Sequence, residues 1–128
     1  LISDTTFLID LSRGDNGAFK KLRELKKRKE PLTTTVITQY ELWRGRGGLT
    51  DKERHVIGNV VDNSLIISLE FDSAKLAGII NNKLRKAGIT VGSRDCLIAG
   101  ITIAGGDTLL TRNIKDFSRI EGIQLETY

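Results

Sequence analysis

Oxygen-bearing side chains stand at three places where a strand-like run of this chain gives way to a helix or turn, Asp4, Glu41 and the pair Asn113 and Asp116, and Asp95 opens a further helix that does not directly follow a strand. Carboxylates held a few ångströms apart repel one another, and such a cluster persists best around a hard divalent cation. Magnesium or manganese suits oxygen-only donors, and an ion of this kind activates water and offsets charge building on a phosphodiester. The chemistry implied is phosphodiester hydrolysis. Asp4, Glu41 and Asp95 are the expected metal ligands, and Asn113 or Asp116 completes the catalytic set.

Each position also has a plain structural use. Thr38-Gln39-Tyr40-Glu41 fits a capping box, Asp95 could cap its own helix, and Asn113 and Asp116 could cap or staple a turn. Asp4 is harder to explain that way, because Thr5 beside it can do the capping. Other chemistries have less support. The sole histidine, His55, lies in a charged helical stretch with no nucleophile pattern around it. Arg44-Gly45-Arg46-Gly47-Gly48 lacks the lysine and hydroxyl of a phosphate-binding P-loop and reads as a connection. The single cysteine, Cys96, sits before Leu97, Ile98 and Ala99 and reads as a small buried hydrophobe.

The elements that must position the acids follow from periodicity. Leu1 to Ser3 begins a first strand, and Thr5 opens a helix through Phe7, Leu8 and Leu11. Asn16 to Glu30 spaces Phe19, Leu22 and Leu25 helically and stops at Pro31. The β-branched run Thr33 to Ile37 reads as a second strand, and a helix from Thr38 to Gly45 carries Glu41 in its first turn. Asp51 to Val61 is helical, and Leu65-Ile66-Ile67 suits a buried parallel strand. Helices from Asp72 to Ala87 and from Asp95 to Ala104 follow, the second apolar almost all round. Thr108 to Thr111 is a fourth strand, Asn113 to Arg119 a short turn or helix, and Ile123 to Thr127 a closing strand.

Strands alternating with helices predict an α/β fold: three layers, with a central, mostly parallel sheet of four to five strands, and ligands at the strands' carboxyl ends. Asp4, Glu41, Asn113 and Asp116 then share that edge. Asp95 regains it if the helix descends about 24 Å at 1.5 Å per residue and Gly88 to Arg94 climbs about 23 Å as extended chain.

With 128 residues the chain fits one domain, 1–128, and no apolar stretch reaches the roughly 20 residues of a membrane span. No secretory signal opens it, so a cytoplasmic location is expected. The net charge is +4 and the pI about 9.4, which favours an anionic partner. The one basic cluster, Lys20 to Lys29, reads as a solvated helix face. Trp43 and Tyr40 read as core or subunit interface.

The quoted motifs carry a resemblance. Asp4-Thr5-Thr6 after the opening strand, Glu41-Leu42 with Gly45, Asp95-Cys96-Leu97-Ile98-Ala99, and Thr111-Arg112-Asn113-Ile114-Lys115-Asp116-Phe117 together resemble PIN-domain ribonucleases, most closely the small stand-alone toxins of the VapC type. The resemblance implies a Rossmann-like sheet, magnesium or manganese dependence, an RNA substrate, homodimerisation, and a cognate VapB-like antitoxin that blocks the site. One departure is Asn113, where many members carry an acid; it supplies a neutral carbonyl and leaves one tightly bound ion as the expectation. Thr5, Thr111, Arg44, Arg94 and Arg112 are expected to contact substrate, with Arg46 a further phosphate-contact candidate.

Two alternatives are set against that reading. A receiver-type phosphoacceptor needs an Asp at the end of the third strand, where Leu65-Ile66-Ile67-Ser68 offers none. A catalytically silent PIN-like interaction module would use the same acids only as caps.

Overall fold

A computed structural model describes the backbone of residues 1–128 and every side chain except that of Arg46, which therefore lies outside the described residues as a phosphate-contact candidate. Five parallel strands form the sheet: β1 (Ile2–Ser3), β2 (Thr33–Thr35), β3 (Leu65–Ile67), β4 (Thr108–Leu110) and β5 (Gln124–Glu126), in the order β3-β2-β1-β4-β5. The chain fills one half of the sheet outward from β1, then returns to β1's other side with β4. The order therefore reverses between β1 and β4, which is where an open parallel sheet forms its ligand crevice.

Seven helices cover the sheet: α1 (Thr5–Ser12), α2 (Asn16–Lys27), α3 (Val36–Arg44), α4 (Asp51–Asp62), α5 (Phe71–Lys86), α6 (Ser93–Ala104) and α7 (Ile114–Phe117). Side chains alternate across the strands. Ile2 and Leu109 pack against Ile80, Leu84, Ile98 and Ile101 on one face, while Leu110 packs against Phe7, Leu8, Leu25, Ile57 and Val61 on the other. The three layers predicted from the alternating pattern are present, and the sheet is all-parallel. At Gly100 the helices α5 and α6 meet so closely that a Cβ would lie 2.6 Å from the Ser73 carbonyl and 2.8 Å from Ala77 Cβ.

Several local expectations change. Asp4, not Thr5, caps α1, its carboxylate accepting from the Phe7 N–H, so capping does not compete with Asp4's place at the strand end. Val36 and Ile37 belong to α3 rather than to β2. Their β-branched side chains favour a strand, but the Thr35 hydroxyl accepts from the Thr38 N–H and starts the helix there. Glu41 consequently lies in the second turn of α3, outside any capping box. Gly92, not Asp95, occupies the cap position of α6, and Asp95 falls within its first turn.

Two further elements differ from the sequence pattern. α2 ends at Lys27 because the backbone turns left-handed at Lys29, φ 56°, before Pro31. β3 is an edge strand, and its Leu65 and Ile66 are 58% and 43% exposed instead of buried.

Candidate active site

Asp4 stands at the β1–β4 switch, the edge at which a parallel sheet of this order forms its ligand crevice. Its backbone N–H continues the β1–β4 pairing by donating to the Leu110 carbonyl at 3.0 Å, so the carboxylate leaves the sheet at a fixed height. Only 3% of the residue is exposed. Oδ1 accepts from the Thr6 hydroxyl at 2.6 Å and the Phe7 N–H at 3.2 Å, and Oδ2 accepts from the Thr111 hydroxyl at 2.6 Å. The last bond crosses the switch point from the end of β4. Thr111 in turn accepts from the Asn113 N–H at 3.0 Å, so a single buried hydroxyl orients Asp4 and fixes the β4–α7 turn.

Glu41 is fully buried, and its Oε1 accepts from the Thr5 hydroxyl at 3.0 Å. Thr5 also lies 3.4 Å from the Thr38 hydroxyl, which contacts Thr35 at 3.3 Å. This threonine chain ties the cap of α3 to the start of α1, placing Glu41 beside Asp4's helix. The Arg94 guanidinium approaches Glu41 from α6, with Nε 3.9 Å from Oε2. That contact brings Arg94 to Glu41, but not by the long extended climb expected of residues 88–94: Ser93 and Arg94 are already helical, and Asn81 meets Ser93 while Gly100 faces Ser73 and Ala77, so α5 and α6 pack antiparallel. Asp95 follows in the same turn, and its charge adds to the burial that pushes the Cys96 thiol up. Cys96 itself is buried, as its apolar neighbours predicted.

The remaining predicted residues divide. Asn113 Nδ2 donates to Asp116 Oδ2 at 3.2 Å, so the two candidates for the fourth position hold each other, both half-buried, one turn from Thr111. Thr5 and Thr111 are buried, with their hydroxyls directed onto Glu41 and Asp4. Arg44 is exposed at the end of α3. Arg112 is held in a clasp: its two terminal nitrogens donate to Asp15 at 3.1 and 2.8 Å, one lies 3.2 Å from Asp10, and its carbon sits 4.3 Å above the Tyr128 ring.

The clasp escaped sequence reasoning. Tyr128 donates to Asp10 at 2.7 Å and meets Phe7 edge-on at 5.0 Å. Its phenol is pushed up by burial first and by the Asp10 hydrogen bond second, with the charge of Asp4 adding to both. Arg112 holds the Asp15 carboxyl down at about 2. These contacts bind α1, α2 and the end of β5 around the base of the crevice. The pairings span 97 to 118 positions, and no local signal announces them. Thr35, by contrast, had a visible signal: a hydroxyl residue three positions before Thr38 at a strand end.

All candidate ligands are hard carboxylate oxygens and two are buried, which fits magnesium or manganese and excludes thiolate-seeking ions. Among the described residues no three acids, histidines or cysteines by themselves converge on one point. Magnesium commonly takes only one or two carboxylates and completes its shell with water and substrate phosphate, so the set remains suitable.

Comparison with known proteins identifies the family. The PIN-domain family model matches residues 1–123. Ribonuclease VapC2 of Rickettsia felis is 32% identical over 108 residues, 82% of this chain and 80% of that protein. Ribonuclease VapC1 of the same organism is 50% identical over 48 residues, a match spanning 38% of this chain and only 36% of VapC1. The structure of VapBC2 from Rickettsia felis bound to a DNA fragment from their promoter superposes with a TM-score of 0.85 at 25% identity, covering 99% of this chain and 97% of that one. An all-parallel sheet with a buried aspartate at its switch point, a matching family model along nearly the whole length, and relatives of this kind lead to one conclusion: the chain belongs to the PIN-domain family, among the VapC-type ribonuclease toxins.

Proposed function

We propose that this chain is a magnesium- or manganese-dependent endoribonuclease, the toxin of a toxin–antitoxin pair, cutting RNA at the crevice between β1 and β4. The observation that carries the reading is the buried Asp4, oriented by Thr6, Thr111 and the start of α1 at the switch point of the sheet. Asp4, Glu41 and Asp95 would hold the cation. When bound, it would supply Lewis acidity for activating water and for neutralising charge on the scissile phosphate.

The protein's own side chains take the other roles. Thr111 and Thr5 act as positioning residues, each directing one carboxylate through a buried hydroxyl. Arg94 stands beside Glu41, and with the exposed Arg44 it is placed to pair with substrate phosphate oxygens. Arg112 is committed to Asp15 and Tyr128, which assigns it to holding the crevice together rather than to the substrate. Asn113 and Asp116 complete the polar rim as a pair.

The relatives' assemblies support a VapB-like antitoxin as partner. Exposed apolar side chains support a homodimer as well: Tyr40 and Trp43 on α3, Phe71 and Ile79 on α5, and Leu65 on β3. No described helix is long and apolar enough to cross a membrane. The incomplete convergence of three acids is the one observation favouring the catalytically silent module. Incubation of the purified protein with RNA decides between them. Cleavage that appears with magnesium or manganese and stops on chelation supports the enzyme, while calorimetry showing no metal uptake at millimolar concentration supports the silent module.

A further inference from the structure

We propose that the outer face of α2 is a track for the RNA backbone, leading away from the carboxylate crevice; the proposal rests on the ribonuclease reading above. The segment Lys20 to Lys29 holds seven basic residues, and the structure separates them into two groups. Lys21 is tied to Glu126 at 2.9 Å and Glu24 at 3.1 Å, and Arg28 to Glu126 at 3.0 Å and Glu30 at 2.9 Å. These two fasten α2 to the end of β5. Lys20, Arg23, Lys26, Lys27 and Lys29 join none of the ion pairs among the described residues and are exposed. Of these five, Lys20, Arg23 and Lys27 recur at i, i+3 and i+7, a spacing that puts the three on one side of the helix over about 10 Å, with Lys26 beside them and Lys29 past the helix end. Ala18 and Leu25 lie buried on the opposite side.

The position of this ridge is what distinguishes it from an ordinary solvated face. Asp15, the cap of α2, accepts from both terminal nitrogens of Arg112. A Cβ at Gly17 would come within 2.9 Å of one of them, so the first turn of α2 is seated directly on that guanidinium. Arg112 follows Thr111, whose hydroxyl lies 2.6 Å from Asp4. The ridge therefore begins one turn beyond the rim of the crevice and runs on toward Arg28 and the chain entering β2. A nucleic-acid strand is a polyanion longer than the crevice, and the phosphates flanking the cut bond must lie along some adjoining surface. Unpaired cations at helical spacing, continuous with the crevice, match that requirement by charge.

The test is the salt dependence of RNA binding, read by fluorescence anisotropy with a labelled unstructured oligoribonucleotide in chelator, where binding is independent of cutting. The ridge variant combines Lys20→Gln, Arg23→Gln and Lys27→Gln; a control of equal charge change combines Lys75→Gln, Arg85→Gln and Lys86→Gln on α5. Each phosphate contact on a single strand contributes about 0.7 to the slope of log affinity against log salt. The ridge variant is expected to lower that slope by about 2 and to weaken binding about 100-fold at 0.1 M salt, with an unaltered thermal midpoint and little change in the control. An unchanged slope in the ridge variant, or an equal loss in both variants, overturns the proposal. Cleavage by the unmodified protein is measured separately. Salt-sensitive binding at α2 without cleavage in any divalent metal would leave the track standing and defeat the ribonuclease reading.

Discussion

Replacing Thr111 with valine removes one hydroxyl at the centre of the site and almost nothing else. Valine has nearly the same shape, and the position is fully buried, so no cavity opens and no surface changes. What disappears is the 2.6 Å bond to Asp4 Oδ2 and the acceptor for the Asn113 N–H. A hydrogen bond to a charged group contributes about 1.5–3 kcal/mol, and the half-buried N–H left behind adds a fraction more. The expected loss is about 2–3 kcal/mol, within the 5–15 kcal/mol typical of a domain, so the variant folds. Its thermal midpoint should fall by about 8–12 °C, taking about 4 °C per kcal/mol for a chain of this size.

The same substitution should reach the metal. Asp4 keeps the Thr6 and Phe7 donors on Oδ1 but loses the Thr111 hydroxyl that holds Oδ2 across the switch point. Removing such a supporting partner typically lowers metal affinity about 10–100-fold, so half-maximal RNA cleavage should need that much more manganese. Thr111→Ser restores the hydroxyl and should restore both properties. Scanning calorimetry and a manganese titration of cleavage read the two effects. A valine variant matching the parent in both, or a serine variant as impaired as valine, would refute the positioning role.

Two other outcomes follow from particular contacts. Gly100→Ala should destabilise the protein by about 1–3 kcal/mol in denaturant unfolding, because the new methyl meets the Ser73 backbone carbonyl, which cannot move aside as a side chain tip could. Asp15 titrates at about 2 in the folded protein against an ordinary 3.8, chiefly through its Arg112 hydrogen bond. Because the folded value is depressed, the stabilisation is present above pH 3.8 and is lost as the pH falls toward 2. Arg112→Gln should therefore flatten that limb of the stability profile, and an unchanged acid limb would contradict the assignment.

The layered fold was legible because its signals are local. Alternating helix and strand patterns predicted the parallel sheet, and the acids at strand ends predicted an occupied carboxyl edge. Asp4 is buried at the end of β1 and Glu41 is buried in α3, linked to α1 through Thr5, and the Arg94 side chain reaches Glu41 from α6. Misreadings arose where two local preferences compete. Val36 and Ile37 carry strand propensity, yet one hydroxyl bond at Thr35 commits them to a helix. Leu65 and Ile66 are apolar enough for a core strand, but the sheet ends at β3 and leaves them exposed. The Arg112–Asp15–Tyr128 clasp was illegible for a different reason: its partners meet only after the whole sheet has assembled, and Arg112 taken alone reads as a substrate contact.

The most direct test of the account compares the parent with Asp4→Asn, following manganese binding by electron paramagnetic resonance and RNA cleavage in the same samples. Asparagine keeps an acceptor oxygen for the α1 cap but removes the charge at the switch point. The account predicts that cleavage is abolished and manganese affinity falls sharply while the fold, monitored by circular dichroism, persists. An Asp4→Asn protein that binds manganese and cuts RNA as the parent does would contradict it.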